Sequence, residues 1–250
     1  MISKNQIKFI RQLEQKKYRR REGLFVAEGT KVVGDLLAVC QPRALLATRP
    51  WLDSHPALAQ ASFDVTEVSD DELRRVSFQQ HPQQVLALFP LPEGGRPEVG
   101  SNELALALDG VQDPGNLGTI IRIADWFGIA TIVCSEDTAD AWNPKVVQAT
   151  MGSIARVNMI YTDLPAWLDA LPADFPVYGT LLDGEDIYRQ PLSQHGLIVM
   201  GNEGNGISEA VRRRVSHRLL IPDFHQGDTA DSLNVAIATA ITCSEFRRRR

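Results

Sequence analysis

Three polar segments in the second half of the chain carry side chains that could do chemistry together. The first is Asn116-Leu-Gly-Thr-Ile-Ile-Arg122, the second is Gly201-Asn-Glu-Gly-Asn-Gly206, and the third is Ser232-Leu-Asn234. They offer amides, a carboxylate, a hydroxyl and a guanidinium, groups that orient reactants and stabilise developing negative charge. Each segment lies beside a run of apolar residues, so the folding of those runs decides whether the three segments meet.

The first segment combines a candidate helix N-terminus with an arginine. Pro114-Gly115 favours a tight turn, and we expect a helix to begin near Gly118. Backbone amides at that end favour an anion, and a guanidinium in the first turns could grip a phosphate or a developing alkoxide. The structural alternative is that Asn116 caps the helix while Arg122 pairs with Asp125 or with a carboxylate across an interface.

The second segment must be weighed against a dinucleotide-binding fingerprint. Its glycines at 201, 204 and 206 give G-x-x-G-x-G, whereas the dinucleotide motif is G-x-G-x-x-G after the first strand of its unit. Glycines let the backbone approach a ligand closely, but Glu203 would repel a phosphate. The pattern therefore favours a ligand without phosphates, and the alternative is a flexible surface loop.

The third segment joins a strand candidate to an apolar C-terminal helix. Ser232 is placed as the N-cap of that helix, with Asn234 in its first turn. The connection 223–231 that precedes it is long and acidic, and we expect it to influence access of a substrate.

Strand and helix candidates alternate regularly through this half of the chain. The strand candidates are 104–110, 130–135, 177–182, 197–200 and 218–221. The helix candidates are 118–127, 144–155, 164–171, 208–216 and 233–246. Alternation with apolar strands predicts a parallel sheet covered on both faces, and such sheets bind ligands beyond the carboxyl ends of their strands. The three polar segments begin at such ends.

The composition is that of an ordinary globular protein with an uneven distribution of charge. The chain has 250 residues, 44% of them hydrophobic, and a net charge of −5. Yet residues 1–31 hold nine basic and three acidic side chains. A basic surface is what RNA phosphates require, and the candidates are Lys16, Lys17, Arg19, Arg20 and Arg21. A solvated helix face is the alternative interpretation.

Several functional classes find no support in the sequence. No apolar run is long enough for a membrane helix, and the polar N-terminus does not resemble a signal peptide. The histidines and the three cysteines show no metal-ligand spacing, and neither a Walker loop nor a Gly-x-Ser-x-Gly elbow occurs. We expect a cytoplasmic protein without a metal.

A Pro- and Gly-rich stretch divides the chain. It predicts an N-terminal domain of residues 1–92, a linker of residues 93–103 and a second domain of residues 104–250. The first domain mixes helical and strand-like segments and is read as a small α/β unit.

In this order and at strand ends, the three polar segments resemble the motifs of the SpoU/TrmH branch of the SPOUT RNA methyltransferases. The resemblance implies transfer of a methyl group from S-adenosylmethionine to a ribose 2′-hydroxyl of RNA. It also implies a deep trefoil knot in the second domain and a homodimer with active sites at the subunit interface. The opening, through Gly23-Leu-Phe-Val-Ala-Glu-Gly29, is similar to the L30e-like RNA-binding domain of many such enzymes.

The resemblance also implies roles for individual residues. Arg122 acts at the transfer step, either as a general base or, as we favour, as a clamp on phosphate and alkoxide. Its partners in orienting substrate and cofactor are Asn116, Glu203, Ser232 and Asn234. The residues expected to hold the cofactor are Thr180, Gly201, Asn202, Gly206, Ile221 and Leu233.

The sequence leaves the RNA substrate open. The type of N-terminal domain favours ribosomal RNA over transfer RNA. A non-catalytic RNA- or ribosome-binding protein on the same fold is a further alternative, but none of Asn116, Arg122 or the glycine segment is lost. A nucleotide-dependent oxidoreductase is disfavoured by the order of the glycines.

Overall fold

The computed structural model describes residues 2–95, 97–225 and 232–248. The chain divides into two compact units, the first ending at Glu93 and the second beginning at Gly94. The first unit also takes the later segment Asp140–Ala155. The division at Glu93 falls at the start of the predicted linker, but the sequence did not indicate that Asp140–Ala155 belongs with the N-terminal residues.

The first unit alternates short helices with short strands. Its elements are α1 (Lys4–Gln12), α2 (Lys16–Glu22), β1 (Leu24–Glu28), α3 (Thr30–Leu37), β2 (Ala44–Ala47), α4 (Arg49–Asp53), β3 (Asp64–Glu67), α5 (Asp70–Val76) and β4 (Val85–Pro90). The four strands form a mixed sheet in the order β1-β4-β2-β3, in which only β2 and β3 run parallel. Ser3 and Ser69 begin α1 and α5 with reciprocal capping boxes.

One face of this sheet is covered by α1 and α5. Ile10 and Leu13 at the end of α1, with Leu73 and Val76 of α5, pack on buried strand residues such as Leu88. Because Ile10 and Leu13 are three residues apart, they lie on one face of the helix and bury it against the sheet.

Arg19 is not an RNA-binding residue in this structure. Its side chain is only 2% exposed, and the guanidinium donates to the carbonyls of Leu13 and Glu14, both at 2.7 Å. It also pairs with the Asp140 carboxylate at 2.5 Å. Consecutive basic residues on a helix point in different directions, and Arg19 is the one directed inward.

The remaining elements belong to the second unit, except for one helix that belongs to the first. They are β5 (Leu104–Asp109), α6 (Pro114–Trp126), β6 (Thr131–Ser135), α7 (Pro144–Ala149, in the first unit), β7 (Asn158–Thr162), α8 (Leu164–Asp169), β8 (Val177–Asp186), β9 (Gly196–Gly201), α9 (Glu209–Arg212), β10 (His217–Leu220) and α10 (Val235–Arg248).

The six strands of the second unit form the predicted parallel sheet. Their order is β10-β8-β9-β5-β6-β7, and every neighbouring pair is parallel. The central strands β5 and β9 are buried along their whole length. Alternating alanine and leucine in β5 leave room for residues packed on either side, which is typical of a sheet covered on both faces.

Several element boundaries differ from the predicted ones for identifiable reasons. The helix predicted over 144–155 ends at Ala149, because Met151 and Gly152 take positive φ angles of 51° and 95°. The predicted helix 208–216 is only Glu209–Arg212. The strand Asn158–Thr162 was missed, since only its second and third residues are buried. Among the described residues, no helix is long and apolar enough to cross a membrane.

The buried Arg19–Asp140 pair can be tested for its contribution to stability. Arg19→Gln should destabilise the protein by about 3 kcal/mol, because it leaves a largely buried carboxylate and two carbonyls without their cation. Urea unfolding measures this change. Arg20→Gln is the matched control, since Arg20 is exposed and neighbouring in sequence, and its free energy of unfolding should change by less than about 0.5 kcal/mol. Equal effects of the two substitutions would contradict a structural role for Arg19.

Candidate active site

Strand register brings the first two motifs together. Asp109, the last residue of β5, lies beside Gly201, the last residue of β9. The third motif follows β10, which pairs with β8, the other neighbour of β9. Because all these strands are parallel, the loops after them emerge at the same edge of the sheet.

A chain of hydrogen bonds joins one side chain from each motif. The Asn116 amide nitrogen donates to Glu203 Oε1 at 3.0 Å. The Asn234 amide nitrogen donates to Asn116 Oδ1 at 2.9 Å. Asn116 is therefore the middle member, which uses both ends of its amide. The predicted cluster of Asn116, Glu203 and Asn234 is present in the structure, although its catalytic role stays a prediction.

The start of α6 explains why Asn116 is available for this chain. Helix α6 begins at Pro114 and not near Gly118, and Asp113 is its N-cap, whose carboxylate accepts from the Asn116 backbone N–H at 2.8 Å. Proline at the first helical position suits this arrangement. The alternative in which Asn116 caps the helix is thus wrong, and its side chain is left to bridge the other two motifs.

The start of α10 assigns Asn234 a second role. Helix α10 begins at Val235, and Asn234 Oδ1 accepts from the backbone N–H groups of Ala236 and Ile237 at 3.0 and 3.3 Å. Asn234 is therefore the cap, and the prediction that Ser232 caps this helix is wrong because the helix starts three residues after it. Ser232 is exposed on the edge of the site, and the long connection preceding it lies outside the described residues from 226 to 231.

Arg122 is presented on the exposed side of α6. It makes no hydrogen bond or ion pair with any other residue that the structure describes. The alternative in which it pairs with Asp125 is wrong, because that carboxylate accepts from Arg156, with distances of 2.7 to 3.0 Å. The guanidinium of Arg122 therefore has its donors available for a ligand.

The glycine segment is an ordered turn and not a flexible surface loop. Asn202 and Gly206 exchange backbone hydrogen bonds of 2.9 and 3.0 Å, and the Asn202 side chain accepts from the N–H groups of Gly204 and Asn205. The Asn202 amide also donates to the Gly110 carbonyl at 2.6 Å. The side chain of Asn202 is thus committed to holding the turn in shape.

Gly201 has to be glycine for this turn to close. A Cβ on Gly201 would lie 2.2 Å from the Gly206 carbonyl carbon and 2.3 Å from the Ile207 nitrogen. Gly206 has a φ of +67°, which side chains rarely adopt. The two glycines therefore serve the close approach of the backbone to itself, in addition to any approach to a ligand.

A cavity of about 510 Å³ opens beside the glycine segment. Its walls come from β8, from the turn after β9, from the end of β10 and from the start of α10. All residues predicted to hold the cofactor line it, as do two of the predicted catalytic residues. They are Thr180, Gly201, Asn202, Gly206, Ile221 and Leu233, with Glu203 and Ser232.

Sequence reasoning missed two kinds of residue here. Asp109 is buried and accepts from the Ser208 backbone N–H at 2.6 Å, which fixes the chain after the glycine segment. An aspartate ending an otherwise apolar strand is the signal that could have found it. Asp183 and Arg212 also line the cavity, but they lie outside the three motifs and no spacing in the sequence singles them out.

The basic helix α2 of the first unit presents a surface of cations around a tyrosine. Lys17 and Arg21 each lie 4.8 Å from the centre of the Tyr18 ring. Lys17, Arg20 and Arg21 are exposed and Lys16 is half-buried, whereas Arg19 is buried. Four of the five predicted RNA-binding side chains therefore face solvent at least in part.

The two cysteine thiols of the second unit, at Cys134 and Cys243, are buried. Burial raises the pKa of Cys243 to about 12, and burial likewise raises the pKa of Cys134, so both thiols stay protonated at neutral pH. No group of three or more histidine, cysteine, aspartate or glutamate side chains among the described residues could hold a metal ion.

Comparison with known proteins identifies the family. A model described as the SpoU rRNA Methylase family matches residues 103–244, which is more than half of the chain. The chain belongs to the SpoU rRNA methylase family. A second model, the MRM3-like substrate binding domain, matches residues 4–87. The SpoU match contains all three polar motifs, and the MRM3-like match contains helix α2.

Several relatives align with this chain along nearly its full length. The chain is 32% identical to the 23S rRNA (guanosine(2553)-2′-O)-methyltransferase RlmP of Bacillus subtilis, over 98% of this chain and 97% of the relative. A TrmH-family structure from Porphyromonas gingivalis has 43% identity and a TM-score of 0.89, and each chain is covered completely. An AdoMet-bound rRNA methyltransferase from Sinorhizobium meliloti has 33% identity and a TM-score of 0.86, with 100% and 97% of the chains covered.

The closure of the glycine turn gives a prediction for this SpoU domain. Gly201→Ala should destabilise it by about 3 kcal/mol, because the new Cβ overlaps backbone that cannot move aside. Gly204→Ala is the control, since its Cβ would meet its nearest neighbour, Asn202 Oδ1, only at 3.6 Å. That variant should stay within about 1 kcal/mol of the parent in chemical unfolding. Equal stability of the two variants would mean that the turn is not closed as described.

Proposed function

We propose that this protein transfers a methyl group from S-adenosylmethionine to a ribose 2′-hydroxyl of ribosomal RNA. The observation that carries the proposal is the hydrogen-bonded chain Glu203–Asn116–Asn234. Glu203 lines the cavity, and Asn116 lies on the same helix as the available Arg122. Three separate motifs of one family thus converge on one place.

The cavity suits S-adenosylmethionine. Its volume of about 510 Å³ is within the roughly 300–1,000 Å³ of small-molecule sites. Apolar side chains such as Leu181, Ile221 and Leu233 supply surfaces for an adenine ring. Glu203 on its wall disfavours phosphates and tolerates a cationic sulfonium ligand. Among the described residues, none except its chain neighbours lies within 4 Å of the position that a Cβ on Gly206 would take, so the backbone there is accessible to a ligand.

The residues of the site would act mainly by positioning. S-adenosylmethionine, when bound, supplies an activated methyl group with a good leaving group. The Asn116 amide, fixed at both ends, holds Glu203 and Asn234 in register with α6. Ser232, on the edge of the cavity, is available to hydrogen-bond the incoming ribose. Alignment of this kind accounts for a large part of the acceleration in bimolecular reactions.

Arg122 would bind the RNA phosphate and stabilise the negative charge that develops on the 2′-oxygen. A guanidinium keeps its proton in proteins, so we assign it this electrostatic role and not that of a general base. Its exposed position on α6, with no partner among the described residues, leaves it available for this contact.

Ribosomal RNA is preferred over transfer RNA because of the coverage of the relatives. RlmP of Bacillus subtilis, which is named for a 23S rRNA guanosine, aligns over 98% of this chain. A structure described by methylation of C/U34 on tRNA covers only 60% of it. The similarity to a bacterial 23S rRNA methyltransferase along nearly the whole chain supports a cytoplasmic location.

We also propose that the enzyme works as a homodimer. Trp126 at the end of α6 is 85% exposed, and Ile237 on α10 is 52% exposed. Helices α6 and α10 pack on each other, so these apolar side chains lie on neighbouring elements. Large exposed apolar side chains of this kind mark interaction surfaces, and a second copy is the usual partner. The trefoil knot implied by the family resemblance stays a prediction.

The proposed activity is tested by methyl transfer together with Arg122→Ala. Wild-type protein should bind S-adenosylmethionine and not NAD in calorimetry, and should methylate ribosomal RNA from a strain lacking it. Arg122→Ala should lower the rate by about 10²–10³, because one charged transition-state contact is lost. Its affinity for S-adenosylmethionine should be unchanged, since Arg122 does not line the cavity.

Arg213→Ala serves as the control, because Arg213 is an exposed arginine that pairs with Glu209 and does not line the cavity. Its rate should match that of the wild type. Near-normal turnover by Arg122→Ala would remove the catalytic role of Arg122, whereas binding of NAD without S-adenosylmethionine would remove the proposed activity itself. Mapping of 2′-O-methyl groups in the deletion strain would identify the nucleotide.

The exposed cations of α2 should contribute to RNA binding. Replacing Lys17, Arg20 and Arg21 with glutamine should weaken RNA binding, and each lost phosphate contact should flatten the slope of log affinity against log salt by about 0.7 to 0.9. Filter binding at several salt concentrations measures both. Lys31→Gln is a control, since Lys31 pairs with Asp35 on α3. An unchanged slope in the triple variant would make α2 a solvated helix face.

A further inference from the structure

One arginine outside the three motifs, Arg212, lines the cavity. Three charged side chains of the described chain line it, namely Asp183, Glu203 and Arg212. Glu203 belongs to the hydrogen-bonded chain of the active site. Asp183 and Arg212 lie on β8 and α9, outside the three motifs, and neither was expected from the sequence to touch a ligand.

Asp183 and Arg212 belong to a small ion cluster with an excess of positive charge. The Asp183 carboxylate accepts from Arg212 and also, at 3.1 Å, from Arg218 on β10. Two guanidinium groups thus share one carboxylate, which leaves a formal charge of +1. The Arg212 side chain is one-third exposed, and the pairing uses only part of its five N–H donors. The cluster can therefore accept one more anion.

Helix α9 holds Arg212 in a defined place. The Asp109 carboxylate accepts from the Ser208 backbone N–H at 2.6 Å, and Ser208 caps α9 through its bond from the Val211 N–H. Asp109 is the strand-end residue beside Gly201. Arg212 is thus connected to the glycine turn through two short links and is not a freely mobile surface arginine.

We propose that Arg212 binds the α-carboxylate of the methionine portion of S-adenosylmethionine. This inference rests on the proposed function of the cavity and deepens it. Glu203, the charged wall residue outside this cluster, is a carboxylate that repels an anion, whereas the cluster of Arg212, Arg218 and Asp183 has a net positive charge and is the favourable place for the carboxylate. A guanidinium binds a carboxylate through two parallel hydrogen bonds, which would fix the amino-acid end of the ligand.

Calorimetry with two ligands and three variants tests this assignment. The ligands are S-adenosylmethionine and its decarboxylated form, which keeps the adenosine, the sulfonium and the amine. Arg212→Gln should bind S-adenosylmethionine about tenfold more weakly than the wild type does, because a charge-assisted hydrogen bond is lost. Its affinity for decarboxylated S-adenosylmethionine should equal that of the wild type.

Two matched variants separate the ligand contact from other effects. Arg218→Gln removes the other partner of Asp183 without changing a residue that lines the cavity, and Arg213→Gln removes an exposed arginine beside Arg212 in sequence. Arg213→Gln should bind the two ligands as the wild type does. Arg218→Gln lowers the formal charge of the cluster to zero, so it should weaken the binding of S-adenosylmethionine by less than Arg212→Gln does and leave the binding of the decarboxylated form unchanged.

The outcomes distinguish the inference from the function on which it rests. A loss in Arg212→Gln that is equal for both ligands would overturn the carboxylate contact and indicate a structural effect. Unchanged binding of both ligands together with weaker RNA binding would also overturn it, and would assign Arg212 to phosphate. If wild-type protein binds neither ligand, the proposed function fails before Arg212 is tested.

Discussion

The parallel pairing of β5 with β9 is the constraint on which the candidate site depends. It sets Asp109 beside Gly201, so the loop that carries Asn116 and the turn that carries Glu203 start from adjacent points. A shift of one residue in this register would turn the side chains of the shifted strand to the opposite faces of the sheet. The register is protected, because both strands are wholly buried and every side chain on them is enclosed. The buried pairing of β5 with β9 therefore also fixes where the loops that carry Asn116 and Glu203 begin.

The sequence was a good guide to the fold and to which polar segments lie close together beyond the strand ends. The alternation of apolar strands with helices predicted a parallel sheet. Because each of the three motifs follows a strand, the sequence also predicted that the motifs lie at the same edge of that sheet. The fold class and the family are confirmed. The residues that cap α6 and α10 could not be predicted from the sequence. Asp113 caps α6 where Asn116 was an alternative, and Asn234 caps α10 where Ser232 was expected. Any of these residue types can cap a helix, so only the actual start of each helix decides between them.

The basic helix shows a different limit of sequence reasoning. Charge density identifies α2 as unusual, but it does not tell which cation is directed inward. Arg19 can be buried because the Asp140 carboxylate neutralises its charge, and Asp140 is 121 residues away in the sequence. Phe25 and Trp142 form a second contact of this kind, with ring centres 4.8 Å apart. Local periodicity cannot predict long-range pairs such as these, because the residues near each member in the sequence carry no information about its distant partner.

The inclusion of Asp140–Ala155 in the first unit affects the order in which the protein can fold during synthesis. The N-terminal unit is complete only when residue 155 has left the ribosome, although its own strands end at Pro90. By that time β5, α6 and β6 have also been made. Domains commonly fold one after another as they emerge. Here Asp140 and Trp142, the partners of Arg19 and Phe25, are synthesised only after the first strands of the second unit. A fragment that ends at Glu93 would therefore leave Arg19 without Asp140 and Phe25 without Trp142.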